Sequence, residues 1–262
     1  MIAALAFALV GAVHAQGDAR RSGYDFMSPA TQAMQRDDTT NPAMLWVGDG
    51  EALWRTAAGR AGKACFDCHG DAKAGMRGVA ARYPAYDESA ARPLTLGQRI
   101  DACRVRHQDA PPLEPEHRDR LALESYVALQ SRGMTIAPPA DARMAPFRQR
   151  GEARWRQRVG QLDLACAQCH DALAGERLGG STIPEAHPTG YPIYRLEWQA
   201  VGSLERRIRG CFYGVRAEVP PPGAIELVEI EAYLARRAAH AQRGEEGLAH
   251  LAALGRIGGK SF

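Results

Sequence analysis

The chain has 262 residues, 45% of them hydrophobic, with 33 Lys and Arg against 30 Asp and Glu for a formal net charge of +3. That length leaves room for two domains of ordinary size, and the charge is too small to imply nucleic acid as a partner. Past the first few positions no apolar run is long enough to cross a bilayer, so the sequence predicts no membrane span.

Residues 1–15 are apolar and end Val13-His14-Ala15 before Gln16, the pattern of a signal peptide with a small-residue cleavage site. An uncleaved apolar anchor is the alternative, and the absence of Lys or Arg at the start points to a true start further upstream. Residues 16–46 are polar and lack clear periodicity; they read as an N-terminal extension lying over the outside of the first domain, 47–137. That domain opens with a helix expected over 47–59, leading to Cys65-Phe66-Asp67-Cys68-His69. This is the attachment pattern of a c-type haem: the thiols form thioethers to the vinyl groups and the imidazole takes one axial site on iron. An irregular Gly- and Pro-rich stretch follows, then a short helix ending at Cys103 and a last helix with Leu121, Tyr126 and Leu129 at helical spacing.

Residues 138–147, with Pro138, Pro139 and Pro146, read as an extended linker. The same order then recurs over 148–240: a helix over 148–159, Cys166-Ala167-Gln168-Cys169-His170, loops, a helix ending at Cys211, and a helix with Leu227, Ile230 and Leu234. The tail, 241–262, has one weakly amphipathic patch (Leu248, Leu251, Leu254) and reads as a frayed end rather than a docking helix.

The recurrence extends beyond the motifs. Gly50-Glu51-Ala52-Leu53-Trp54-Arg55 returns as Gly151-Glu152-Ala153-Arg154-Trp155-Arg156, offset by 101 like the haem motifs. Tyr83-Pro84-Ala85-Tyr86 returns as Tyr191-Pro192-Ile193-Tyr194, and Leu96 to Cys103 as Leu204 to Cys211, both offset by 108; Glu124-Ser125-Tyr126 pairs with Glu231-Ala232-Tyr233 at 107. Near-constant offsets with one seven-residue insertion imply an internal duplication. The expected fold is mainly α, two tandem class I cytochrome c-like domains, with two haem c supplying much of the core. Haem attachment of this type places the protein in the periplasm.

His69 and His170 fill one axial site each. No methionine lies after Met144, so the second haem has none from the segment that follows its motif. Cys103 and Cys211 occupy equivalent places, each with Leu seven and Ile three residues before it, on one helical face directed at the haem. Ligation by His69/Cys103 and His170/Cys211 is therefore expected. A disulfide between Cys103 and Cys211 and bis-histidine ligation through His107, His117, His187, His240 or His250 are the alternatives; none of these histidines has a counterpart in the other repeat, and they are expected to be surface or loop residues. A thiolate ligand lowers the reduction potential, which suits sulfur chemistry at the ligand better than electron carriage.

At Arg207-Ile208-Arg209-Gly210-Cys211-Phe212-Tyr213-Gly214-Val215-Arg216-Ala217-Glu218 the chain resembles the SoxA family, the c-type cytochrome subunit of the SoxAX complex of bacterial thiosulfate oxidation. Gly23 to Ser28, Gln35-Arg36-Asp37-Asp38 and Asn41-Pro42 resemble it too, and Pro220-Pro221-Pro222-Gly223 departs from it. The resemblance implies an L-cysteine S-thiosulfotransferase that joins thiosulfate to a cysteine of a SoxYZ-like carrier, passes two electrons to haem and pairs with a SoxX-like monohaem cytochrome. It also implies that Cys211 is the catalytic residue, present as a persulfide, and that Arg207 contacts the substrate. Thiosulfate is a dianion, and a guanidinium offers its oxygens a bidentate match. Arg216 is a second candidate contact, with an ion pair to Glu218 as the alternative; Arg206 and Arg209 are expected to be solvated or part of a positive rim. Arg104-Val105-Arg106-His107 follows Cys103, so the first haem is read as structural or a relic electron site. A thiosulfate dehydrogenase forming tetrathionate and a dihaem electron carrier of the cytochrome c4 type are the competing functions.

Overall fold

The computed structural model describes residues 21–240; the signal-peptide and tail readings lie outside them. In chain order the elements are α1 (Pro29–Arg36), α2 (Ala43–Arg55), α3 (Cys65–His69), α4 (Ala72–Gly75), β1 (Ala85–Asp87), β2 (Arg92–Leu94), α5 (Leu96–Cys103), a π-helix (Arg104–Gln108) and α6 (Arg118–Leu129). They continue with α7 (Ala145–Arg156), α8 (Cys166–His170), β3 (Arg177–Leu178), β4 (Ser181–Thr182), β5 (Ile193–Arg195), β6 (Ala200–Gly202), α9 (Leu204–Gly214) and α10 (Ile225–His240). About half of the described residues are helical, and three two-stranded antiparallel hairpins stand among them.

The hairpins stand where sequence reading gives only irregular loops. β1 pairs β2 with Ala85 opposite Leu94, and β5 pairs β6 with Ile193 opposite Gly202. The β3–β4 hairpin falls between the second motif and Tyr191, where the offset changes, so the inserted residues form a structured hairpin. The extension is not featureless either. Ser28 caps α1 through the Thr31 amide, and α2 begins at Ala43, earlier than periodicity indicates. In the expected linker, a 3-10 turn at Ala142–Met144 runs directly into α7, with Met144 fully buried.

Glycine sets how closely the long helices approach. A Cβ on Gly50 would lie 2.1 Å from the Ala122 carbonyl oxygen of α6, and one on Gly151 2.0 Å from the Glu229 carbonyl oxygen of α10. Beside these contacts Trp54 meets Tyr126 at 6.0 Å between ring centroids and Trp155 meets Tyr233 at 5.9 Å. These are the residues that recur in sequence, and they recur because each pair of helices makes the same close crossing. A methyl group against backbone cannot be absorbed by a rotamer change, so Gly151→Ala is expected to cost about 2 kcal/mol. Thermal melting of the haem-loaded protein should register roughly a 6 °C fall in its midpoint; an unchanged midpoint would contradict this crossing.

The two halves share a core. Trp46 of α2 packs edge-on to Tyr194 of β5 at 5.8 Å, and Phe147 of α7 meets Tyr86 of β1 at 6.4 Å, so each entry helix rests on the other half's hairpin. Ala43, Leu121, Ala122 and Val201 complete the first of these contacts.

Candidate functional site: two histidine–cysteine slots

α3 and α8 are short, and the third residue of each fixes its start. Asp67 Oδ2 accepts the Ala64 amide at 2.8 Å, and Gln168 Oε1 accepts the Ala165 amide at 2.7 Å, satisfying donors the helix leaves unpaired. Each helix carries its two cysteines one turn apart and ends on its histidine. All six cysteines are free thiols, so no disulfide joins Cys103 to Cys211.

Behind each histidine stands a tryptophan, Trp54 at 5.7 Å from His69 and Trp155 at 5.6 Å from His170. The Trp54 indole donates to the Gly70 carbonyl at 3.0 Å; the Trp155 indole donates to Asp171 Oδ2 at 3.0 Å, and Arg237 pairs with the same carboxylate at 2.6 Å. His170 Nδ1 donates to the Pro184 carbonyl oxygen at 2.6 Å, leaving Nε2 as the nitrogen available to a metal.

Near the motifs lie the remaining cysteines, Cys103 by Cys65 and Cys211 by Cys166. Burial raises the Cys65 thiol above its ordinary value, and the nearby Cys103 adds to the rise. Burial pushes the Cys166 thiol up to about 11, with Cys211 the next contribution. Burial lowers both histidines, and the charge of Arg99 bears on His69 as that of Arg207 bears on His170. The structure thus brings together Cys65, His69, Arg99 and Cys103 in one slot, and Cys166, His170, Arg207 and Cys211 in the other. Two thiols one turn apart and an imidazole are the donor set that attaches haem c, and in both slots the residues fit it, with a further thiol nearby.

Several expectations change. Arg206 lies over the Trp198 ring at 4.3 Å and 4.0 Å from Glu116, and Arg209 Nε donates to the Pro220 carbonyl at 3.0 Å, so neither is simply solvated. His117 is exposed and caps α6 through the Asp119 amide, and His187 lies in a loop, both as expected, although the His187 side chain is buried with Nε2 held 3.0 Å from Glu185. The Pro220–Gly223 loop is tied down by the Gly223 amide, which donates to Glu205 at 2.8 Å. Arg216 sits exposed at a left-handed turn (φ +56°), and no ion pair joins it to Glu218. Sequence reading also missed Tyr83 and Tyr191 as slot residues. Burial raises both phenols; Arg99 and Cys103 act on Tyr83, while Arg207, Arg195 and Cys211 act on Tyr191.

A repeated motif that attaches haem in a largely helical fold defines a c-type cytochrome, and a family model for the SoxA/TsdA cytochrome c domain matches residues 49–136. The chain is 35% identical to the L-cysteine S-thiosulfotransferase subunit SoxA of Pseudaminobacter salicylatoxidans over 217 residues, 82% of this chain and 76% of that protein. With the same subunit of Rhodovulum sulfidophilum it shares 36% identity over 220 residues, 84% and 77% of the two chains. It superposes on the crystal structure of SoxXA from P. pantotrophus with a TM-score of 0.80 at 30% identity, covering 84% of this chain and 83% of that one. The chain belongs to the SoxA family. Among the described residues no helix is long and apolar enough to cross a membrane.

Proposed function

We propose that this chain is the haem-bearing catalytic subunit that joins thiosulfate to a cysteine of a SoxYZ-like carrier protein, with thiosulfate as its substrate and the periplasm as its compartment. The observation that carries the reading is that Cys211 and Arg207, one turn apart on α9, come close to the second motif, Cys211 acting on Cys166 and Arg207 on His170. The repeated slots support two haem c, which Cys65 and Cys68 and Cys166 and Cys169 would hold covalently, while His69 with Cys103 and His170 with Cys211 would bind the irons. The repeated glycine crossings and hairpins support an internal duplication and two tandem cytochrome c-like domains at 47–137 and 148–240. The likeness to SoxXA supports a SoxX-like monohaem cytochrome as partner.

Haem c supplies one-electron acceptors at the two slots. The chain's own residues do the rest. Arg207 holds the thiosulfate oxygens, turning the outer sulfur toward Cys211. Cys211, as a persulfide, is the sulfur at which the transfer is made, and Arg216 stands at the rim. The balance is that a carrier thiol and thiosulfate give the S–S–SO₃ adduct, one proton and two electrons. The proton leaves the carrier thiol, and bound haem would serve as the acceptor of the two electrons.

The test is to mix haem-loaded complex, oxidised acceptor cytochrome, thiosulfate and a carrier with one reduced cysteine. Mass spectrometry should show the carrier gaining one thiosulfate unit less its thiol proton, with two equivalents of acceptor reduced. Because the matching family model also covers TsdA, a thiosulfate dehydrogenase is the second reading; tetrathionate formation at full rate without carrier would select it.

A further inference from the structure

The two slots differ in charge at two equivalent positions. Asp87 ends β1 and Arg195 ends β5, each in the hairpin that follows a cis Tyr-Pro bond, Tyr83-Pro84 and Tyr191-Pro192. The Asp87 carboxylate is buried, receives Arg106 at 3.0 and 2.9 Å, and pairs with Arg99. Arg99 stands four residues before Cys103, where Arg207 stands before Cys211. In the first slot, then, the arginine one turn from the thiol is neutralised by a buried acid. In the second the same strand position holds a base. Arg195 is 5% exposed, donates to the Tyr191 hydroxyl, lies 5.1 Å from the Trp198 ring centroid and reaches Glu197 at 3.4 Å.

The second reversal is hidden in the sequence. A Cβ on Gly59 would lie 2.0 Å from the Gln108 carbonyl oxygen, and one on Gly160 2.2 Å from the Val215 carbonyl oxygen, so the two loops meet equivalent turns. The Asp109 carbonyl accepts the Arg60 amide at 3.2 Å, and the Arg216 carbonyl accepts the Gln161 amide at 3.2 Å. Both residues are left-handed, φ +52° and +56°. Asp109 and Arg216 therefore correspond, although the first half has one residue more between thiol and turn, taken up by the π-helix. Asp109 pairs with Arg60 at 2.6 Å, while the Arg216 side chain points to solvent.

We propose that Arg195 is an anion-recognition residue acting with Arg207, and that the reversals at Asp87/Arg195 and Asp109/Arg216 confine the dianionic substrate to the second slot. A further thiol beside the attachment motif is common to both slots, so ligation alone does not choose between them. The first slot sets a buried carboxylate, which repels a dianion, at the strand position where the second sets a guanidinium. The inference rests on the functional reading above, since thiosulfate is the anion it assigns.

The test uses the haem-loaded complex with carrier and acceptor. Arg195→Gln should raise KM for thiosulfate at least tenfold and leave kcat within threefold, Arg195→Lys should keep KM within threefold of the parent, and the ferric haem spectra should be unchanged. An unchanged KM in Arg195→Gln with an intact spectrum overturns the proposal. Should Arg195→Gln fail to accumulate, Arg216→Asp at its exposed turn carries the same expectation, KM raised threefold or more, and an unchanged KM there also overturns it. If the parent complex does not conjugate thiosulfate to the carrier, the functional reading fails by itself. Thiosulfate titration of the ferric protein then decides this inference separately: weaker binding in Arg195→Gln supports it and equal binding overturns it.

Discussion

Cys211→Met is expected to keep both haems and to lose at least about 10³-fold in thiosulfate conjugation, while Cys103→Met loses less than about threefold. Methionine can occupy an axial site, so the cofactor stays bound and the low-spin spectrum persists with a raised potential at that haem. What methionine lacks is an ionisable sulfur that can carry a second sulfur atom. The contrast between the two variants follows from the slots. Cys211 has Arg207 four residues before it, whereas the arginine matching it beside Cys103 is bound to Asp87. Adduct formation on the carrier, followed by mass spectrometry, measures the loss. More than a tenth of the parent rate in Cys211→Met would remove this cysteine from catalysis.

The residues around the attachment motifs were legible because chemistry dictates their spacing: two thiols and an imidazole must meet one ring. The glycine and tryptophan that recur upstream were legible for a packing reason, since both halves make the same close helix crossing. Short strands were not. β1 and β5 are three residues long and follow Tyr-Pro, so neither alternation nor length marks them. The correspondence of Asp109 with Arg216 was hidden by one extra residue that a π-helix absorbs, a change in backbone winding that no side-chain pattern announces. For the same reason Arg104-Val105-Arg106-His107 after Cys103 showed no match to the turn after Cys211, whose counterpart is Asp109-Ala110. Arg195 was overlooked because it falls in a stretch that reads as irregular loop, and only the hairpin turns it inward.

Stability of the haem-loaded protein is expected to fall as pH rises from about 5 to 8, and Glu124→Gln is expected to remove much of that fall. Glu124 of α6 and Glu231 of α10 line a narrow cavity of about 90 Å³ between the halves, with Arg120, Glu116 and Glu205. Gly97 admits the group: a Cβ there would lie 2.7 Å from Arg120 and 2.8 Å from Glu124. Burial pushes the Glu124 carboxyl up to about 7 and the Glu231 carboxyl well above its ordinary value. Arg120 opposes both shifts, but it also serves Asp101 at 3.3 Å, and Glu116 and Glu205 add further negative charge. A carboxyl whose pKa rises on folding binds more protons in the folded chain than in the unfolded one between the two values. Its contribution is therefore complete below the ordinary value of 4.5 and is lost as pH climbs through about 7. For Glu124 that loss is roughly 3 kcal/mol. Urea midpoints at pH 5 and pH 8 measure it: the parent should be less stable at pH 8, Glu124→Gln should recover most of the difference, and adding Glu231→Gln should recover more. A parent midpoint that rises toward pH 8 would show that both acids are ionised in the folded chain. The sign follows from the position of the pair, because two neutral acids can share hydrogen bonds in a closed space where two carboxylates repel. The seam between the halves is thus held most firmly in acid.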